Sequence, residues 1–476
     1  MRIQFLMGSQ GIRGPSYRFI YGNTKEISSM REKSMGGPME LSHHIFPRLQ
    51  PHLHSWFKLY GMIFLQWHGA TAELVVTDPE FVKEILNNRE RYYPKPEADV
   101  FTKKITGDGL LASKGEKWTK LRKLANHAFH AESLKSMIPA MIESAEVMLE
   151  GWKKYEGKEI EVHEEFRMLT SEVISRTAFG SSYLEGEDIF QMLRKLSLIA
   201  GRNDYNIRLP GISRIFKSSD DKESDKLEKH IRDSFLEIIR KRQKSMNEEG
   251  SNGMDFLGLL LKAGVDTQEI SVEGIIDECK TFYAAGHGTT TLLLSWAILL
   301  LAINTDWQEK ARQEVLKVLG CGRPNSEGIS RLKLMGMIIS ETLRLYPPAV
   351  ALTRKVQREV RLQNLILPAN MNLNIPALAL HHDSKIWGED AHLFKPERFS
   401  EGVAKATNNR PSAYIPFGLG PRACVGSSFA IDEVKIVLAM ILQRYAFTLS
   451  PNYIHSPIQV IAIRPKHGVQ VALHAL

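Results

Sequence analysis

The chain has 476 residues, 43% hydrophobic and 24% charged, with a formal net charge of +8 from 62 Lys and Arg against 54 Asp and Glu. This composition excludes a disordered or collagen-like chain and allows a large core that needs no disulfides. The three cysteines, Cys279, Cys321 and Cys424, are far apart and form no C-x-x-C pair, which argues against a disulfide framework, a zinc knuckle or a redox dithiol and fits a reducing compartment. The basic residues are dispersed. They read as a solvated surface, or as a docking face for an acidic protein or an anionic membrane, and no motif supports nucleic-acid binding.

Taken in chain order, residues 1–7 are too few and too mixed for a signal peptide or a membrane span. Residues 63–66 and 73–77 read as strands, and Asp78-Pro79 opens a short capped helix. Residues 117–129, 134–152 and 164–179 carry helical periodicity. Residues 203–219, with the breaker Pro210-Gly211, separate this region from a long charged surface helix over 222–246. Ser271 caps a helix running to about residue 303. Its end, 292–303, is the most apolar stretch of the chain; it is too short for a bilayer and reads as core. Helices over 305–319 and 329–346 follow, the second stopped by Pro347-Pro348. Strands are expected at 360–367, 371–376 and 459–473, with a helix at 427–445. No repeat and no linker divides the chain. The reading is one mainly α domain with small peripheral β-sheets.

The most informative segment is Phe417-Gly418-Leu419-Gly420-Pro421-Arg422-Ala423-Cys424-Val425-Gly426. Its glycines permit a tight turn and a close approach to a flat ligand. A cysteine held there can take backbone N–H bonds on sulfur, and the dipole of the following helix also favours thiolate. Arg422 can reach an acidic group on the same ligand. A buried structural cysteine at a helix start is the competing reading, so the companions decide. Glu341-Thr342-Leu343-Arg344 sets an acid and a base at i and i+3, on one helix face. Pro396-Glu397-Arg398-Phe399 follows. Trp118 and Arg122 stand at i and i+4 of an earlier helix. Ala285-Gly286-His287-Gly288-Thr289-Thr290 lies within the long apolar helix.

In this order the motifs F-x-x-G-x-R-x-C-x-G, E-x-x-R, P-E-R-F and W-x-x-x-R resemble the cytochrome P450 superfamily, from about Gly11 to the end. The resemblance implies a helical haem-binding fold and haem b (iron protoporphyrin IX), with Cys424 as the iron ligand. It places Trp118, Arg122, Arg354, Phe417, Arg422 and Gly426 at the cofactor, with Arg122, Arg354 and Arg422 toward its propionates. Glu341, Arg344 and Arg398 become a buried structural triad. Gly286, Thr289 and Thr290 are assigned to the distal oxygen site, with Gly286 widening the helix groove. Phe101, Leu111, Ala285, Val350 and Leu352 are assigned to an apolar substrate pocket.

The pattern departs at Gly288, where relatives carry an acid that relays protons. Water with Thr289, or His287, could substitute; a packed structural role is the plainer one for His287. The implied function is a haem-thiolate monooxygenase using O2. The alternatives are an isomerase or dehydratase on the same scaffold, or a poorly coupled haem-binding paralogue.

Three further segments, Gly14-Pro15-Ser16-Tyr17-Arg18-Phe19, Gly107-Asp108-Gly109-Leu110-Leu111 and residues 449–457, are similar to the plant seventy-two clan. Its members oxidise terpenoids, triterpenoids, steroid hormones and related lipids. They take electrons from NADPH through a flavoprotein, NADPH-cytochrome P450 reductase, which would dock near Cys424. Their N-terminal helix anchors them to the cytosolic face of the endoplasmic reticulum membrane. The chain begins where that anchor would end, so residues 1–20 are expected to be the remnant of a linker, and 21–476 one haem-thiolate domain.

Overall fold

The 3.6-residue period governs most of the chain in the computed structural model, which describes residues 2–88, 92–180, 183–206, 217–249, 255–266 and 270–476. The helix Val272–Ile303 organises the rest. Ser271 caps it, its side chain accepting the Gly274 N–H. Residues 278–283 and 290–302 are buried all round, as expected of a helix that crosses a core. It is long and apolar enough to cross a membrane, yet most of its apolar window is buried within the fold. The helices Val162–Phe179, Lys333–Leu345 and Ser427–Arg444 pack around it. Trp296 stacks on Tyr346 with ring centroids 4.2 Å apart, and its indole N–H donates to Ile463 O at 3.1 Å. The Thr170 and Thr291 hydroxyls meet at 2.7 Å.

A second apolar cluster lies under a four-stranded sheet at one side. Strands Ile63–His68 and Thr71–Val76 form an antiparallel hairpin. Thr71–Val76 then pairs in parallel with Asn372–Ile375, which pairs antiparallel with Leu352–Lys355. Three smaller sheets complete the strand inventory of the described residues. The mainly α reading with small sheets therefore holds.

The differences are local. The helix expected over 329–346 is two, Ser326–Arg331 and Lys333–Leu345. The stretch 360–367 is a hairpin of Val360–Leu362 and Leu365–Leu367. The stretch 459–473 contains a hairpin, Pro457–Val460 with Ala462–Pro465, and then Gln470–Ala475. Pro210-Gly211 lies outside the described residues. Residues 1–20, read as linker, include the helix Arg2–Ser9, whose Met7 is buried. Gln10 bonds both polar atoms of the Ile366 backbone, at 3.0 and 2.6 Å, and the Leu65 N–H donates to Arg13 O at 2.9 Å. This segment is thus docked on the sheet through an apolar anchor and backbone pairing.

Candidate active site

Cys424 sits in a loop whose shape is set by backbone pairing and two glycines. Its N–H donates to Phe417 O at 2.8 Å. Gly418 and Gly420 adopt φ of +74° and +71°, a region that penalises any side chain. A Cβ on Gly420 would also stand 2.5 Å from Leu86 O. Two residues past the sulfur, Gly426 opens the helix Ser427–Arg444. Cys424 is open at its surface, yet desolvation by the surrounding loop pushes its thiol up, while the Gly426 N–H and the Arg122 guanidinium pull it down. A thiol balanced in this way is deprotonated outright once it ligates a metal ion.

Cationic side chains surround this loop. Arg122, on the helix Gly115–Ala128, donates to Ala423 O at 2.5 Å and to Asn126 Oδ1 at 2.9 Å. Arg422 lies over the Trp118 ring at 4.3 Å, a cation–π contact, and donates to Leu110 O and Ser113 O at 3.3 and 2.6 Å. Arg354 is buried and donates to Thr353 O at 3.0 Å. The strand that carries it also brings Leu352 within 3.9 Å of a Cβ built on Gly418.

The central helix packs against the helix that follows Cys424. Between its two buried runs, residues 284–289 are only partly buried, with Ala285 and Thr289 exposed. An accessible window in the middle of a core helix marks an internal cavity. The Thr289 hydroxyl donates to Ala285 O at 2.8 Å and that of Thr290 to Gly286 O at 3.2 Å. A Cβ on Gly288 would meet nothing within 4 Å. Gly286 was expected to widen a groove over the cofactor. A Cβ there would lie 2.9 Å from Ile174 Cδ1, so this glycine also serves the packing of the two helices. His287 is not poised as a proton relay: its Nδ1–H donates to Tyr283 O at 2.5 Å, its ring meets Phe190 edge-on, and burial lowers its pKa to about 4.

The expected triad is assembled. Arg344 forks onto Glu341 with two bonds of 2.7 Å, both residues wholly inaccessible, and donates also to His381 O, Ala391 O and Leu393 O. Arg398 Nε approaches Glu341 Oε1 at 3.5 Å. Asp390, absent from the sequence reading, pairs with Arg398 at 2.6 Å. Of the pocket candidates, Ala285 faces the cavity and Leu352 borders the Cys424 loop. Leu111 is 43% exposed, whereas Phe101 and Val350 are packed into the main core. Sequence reasoning also missed Glu278 and Glu433, both buried acids on the two helices that flank the cavity. Both lie in helical runs where nothing local marks an acid as buried.

These residues fit a haem. Among the described residues no group of three or more His, Cys, Asp or Glu is arranged to hold a metal. A metal on Cys424 must therefore bring its other ligands, as a tetrapyrrole does. The plate would lie between the Cys424 loop and the window 284–289, and guanidinium forks suit its carboxylates. When bound, the haem supplies one-electron and O2 chemistry tuned by the thiolate.

Comparison with known proteins agrees. The family described as Cytochrome P450 matches residues 39–470. "Cytochrome P450 CYP749A22" of Panax ginseng is 59% identical, over all of this chain and 92% of the relative. "Cytochrome P450 734A1" of Arabidopsis thaliana is 41% identical, again over all of this chain and 92% of the relative. The "11-oxo-beta-amyrin 30-oxidase" of Glycyrrhiza uralensis is 40% identical, over all of this chain and 93% of the relative. A cysteine loop, an accessible threonine window on the central helix, a buried Glu–Arg lock and these likenesses all lead to one conclusion: the chain belongs to the cytochrome P450 family, as a monooxygenase-type oxidoreductase.

Proposed function

We propose that this enzyme hydroxylates an apolar plant metabolite of the terpenoid, triterpenoid or steroid-like class. It would use O2 and electrons delivered from NADPH by a flavoprotein reductase, at the cytosolic face of the endoplasmic reticulum membrane. The observation that carries the chemistry is the pairing of an accessible Cys424 with the accessible window around Thr289. The substrate class is supported by the apolar residues Ala285 and Leu352 at the cavity, and by a relative named as an oxidase of a triterpenoid. Arg122 holds the Cys424 loop by its Ala423 carbonyl. Thr289 offers a hydroxyl that can pass a proton into the cavity.

The open space at Gly288 favours a second reading, an isomerase or dehydratase, because no acid stands beside Thr289. One experiment separates them. Purified holoenzyme with plant NADPH-cytochrome P450 reductase is supplied with NADPH and β-amyrin-type triterpenes under air or argon. O2-dependent hydroxylated product supports the monooxygenase. Product formed equally under argon, without NADPH, sinks it. Cys424→Ser should abolish the thiolate signature of the reduced carbon-monoxide spectrum.

A further inference from the structure

Glu278 lies on the central helix with its side chain wholly buried. Its Oε1 accepts the Leu110 N–H at 2.5 Å, and its Oε2 has no hydrogen-bond partner among the described residues. Positions 285 and 289 each fall within about 20° of position 278 round a helix, one on either side of it. Glu278 therefore shares the stripe of Ala285 and Thr289, roughly 16 Å along from the latter.

Its neighbours hold the same loop. The Thr281 hydroxyl donates to Thr106 O at 2.6 Å, and Asp277 accepts the Asp108 N–H. The loop has glycine at both points of contact. A Cβ on Gly107 would collide with the Asp277 carboxylate. One on Gly109 would lie 2.5 Å from the Thr281 hydroxyl and 2.7 Å from Glu278 Oε1. From the other side Arg422 donates to Leu110 O and Ser113 O. Leu110 is thus gripped by its N–H from the distal helix and by its C=O from the Cys424 loop.

A carboxyl is a poor filler here. Burial raises its pKa to about 8, and a buried polar group is costly unless it is bonded. The Leu110 N–H is the bond it makes. We infer that Glu278 is a positioning residue: it fixes the backbone of the 107–113 loop on the central helix and so sets where Leu110 and Leu111 stand beside the ligand cavity. The cavity half of this inference rests on the proposed function; the grip does not.

The test uses haem-loaded wild type, Glu278→Leu and Glu278→Gln. Gln keeps an acceptor for Leu110; Leu does not. Losing one such bond should speed amide exchange of the 106–113 peptide by roughly five- to tenfold. Exchange in 292–302 should be unchanged, and E278Q should match wild type. The binding rate of clotrimazole, a bulky azole followed by its haem spectral shift, should change several-fold in E278L, while that of imidazole should not. Unchanged exchange at 106–113, an equal rise in 292–302, failure of E278Q to restore either readout, or an unchanged clotrimazole rate overturns the inference. If E278L yields no folded haem protein, Gly109→Ala, which pushes the loop off an intact Glu278, must give the same local exchange. Neither readout needs turnover, so failure to hydroxylate any terpenoid leaves this result interpretable.

Discussion

Replacing Arg344 by Met should be among the most damaging single changes in this fold. Arg344 and Glu341 have no solvent access, and five N–H donations leave the guanidinium: two to Glu341 and one each to His381 O, Ala391 O and Leu393 O. Met fills most of the volume and makes none of them. Among the described residues Glu341 would keep the Lys395 N–H at 3.0 Å and Arg398 at 3.5 Å. Breaking a buried pair by removing one partner costs about 3–5 kcal/mol. Each carbonyl left without a donor adds about 1–3 kcal/mol where it cannot relax. The overlap of these effects gives an expected loss of at least ~4 kcal/mol, much of the ~5–15 kcal/mol a domain possesses. Glu341→Leu combined with Arg344→Met removes the stranded charge, retains the three orphaned carbonyls and leaves the Lys395 N–H without its carboxylate. The double variant should therefore be more stable than Arg344→Met alone and still well below wild type. Urea denaturation followed by far-ultraviolet circular dichroism measures all four species. An R344M loss under ~1 kcal/mol, or a double variant as costly as both singles summed, would refute the reasoning.

Other substitutions address the distal helix and its surroundings. Gly288→Glu enters open space and should gain about 0.5–1 kcal/mol of helix stability while raising the fraction of NADPH consumed that appears as product; unchanged coupling would show that the missing acid is not limiting. Gly286→Val must displace Ile174 and should cost about 1–3 kcal/mol, with Ile174→Ala restoring part of it in a double variant. Burial holds His43, His52, His287, His381 and His455 well below 6.5, at about 3 to 4. They fold neutral and protonate on unfolding, so their contribution is complete above pH 6.5 and is lost as pH falls toward 4. The thermal midpoint should drop between pH 6.5 and 5. His52→Phe should flatten that slope, and an identical slope would contradict the assignment.

Much of this was legible locally. Asp78 and Ser271 cap their helices as read, and the helix over 305–319 is as expected. What escaped was tertiary. The break at Leu332 is fixed by Glu314 of another helix, whose carboxylate accepts the Leu334 and Met335 N–H groups at 2.7 and 2.9 Å. The two unseen hairpins turn through Gln363 and Ile461, residues at φ of +51° and +63° that carry no turn signal. At the site, motifs located Cys424, Arg122 and the Glu341–Arg344 lock because spacing fixes which side chains share a face. The burial of Phe101, the packing role of Gly286 and the acid at Glu278 depend on partners more than 70 residues away in sequence, beyond any local pattern.

The double hold on Leu110 has a consequence for how such pockets diversify. Both grips act on main-chain atoms, which every residue other than proline supplies. The side chain of residue 111, which is 43% exposed, can therefore be exchanged without altering the loop's course, as long as Gly107 and Gly109 keep its path beside the helix and Leu110 stays in the core. The cavity wall behaves as an interchangeable tile on a fixed mount, so new specificities can arise by single substitutions with little cost to folding.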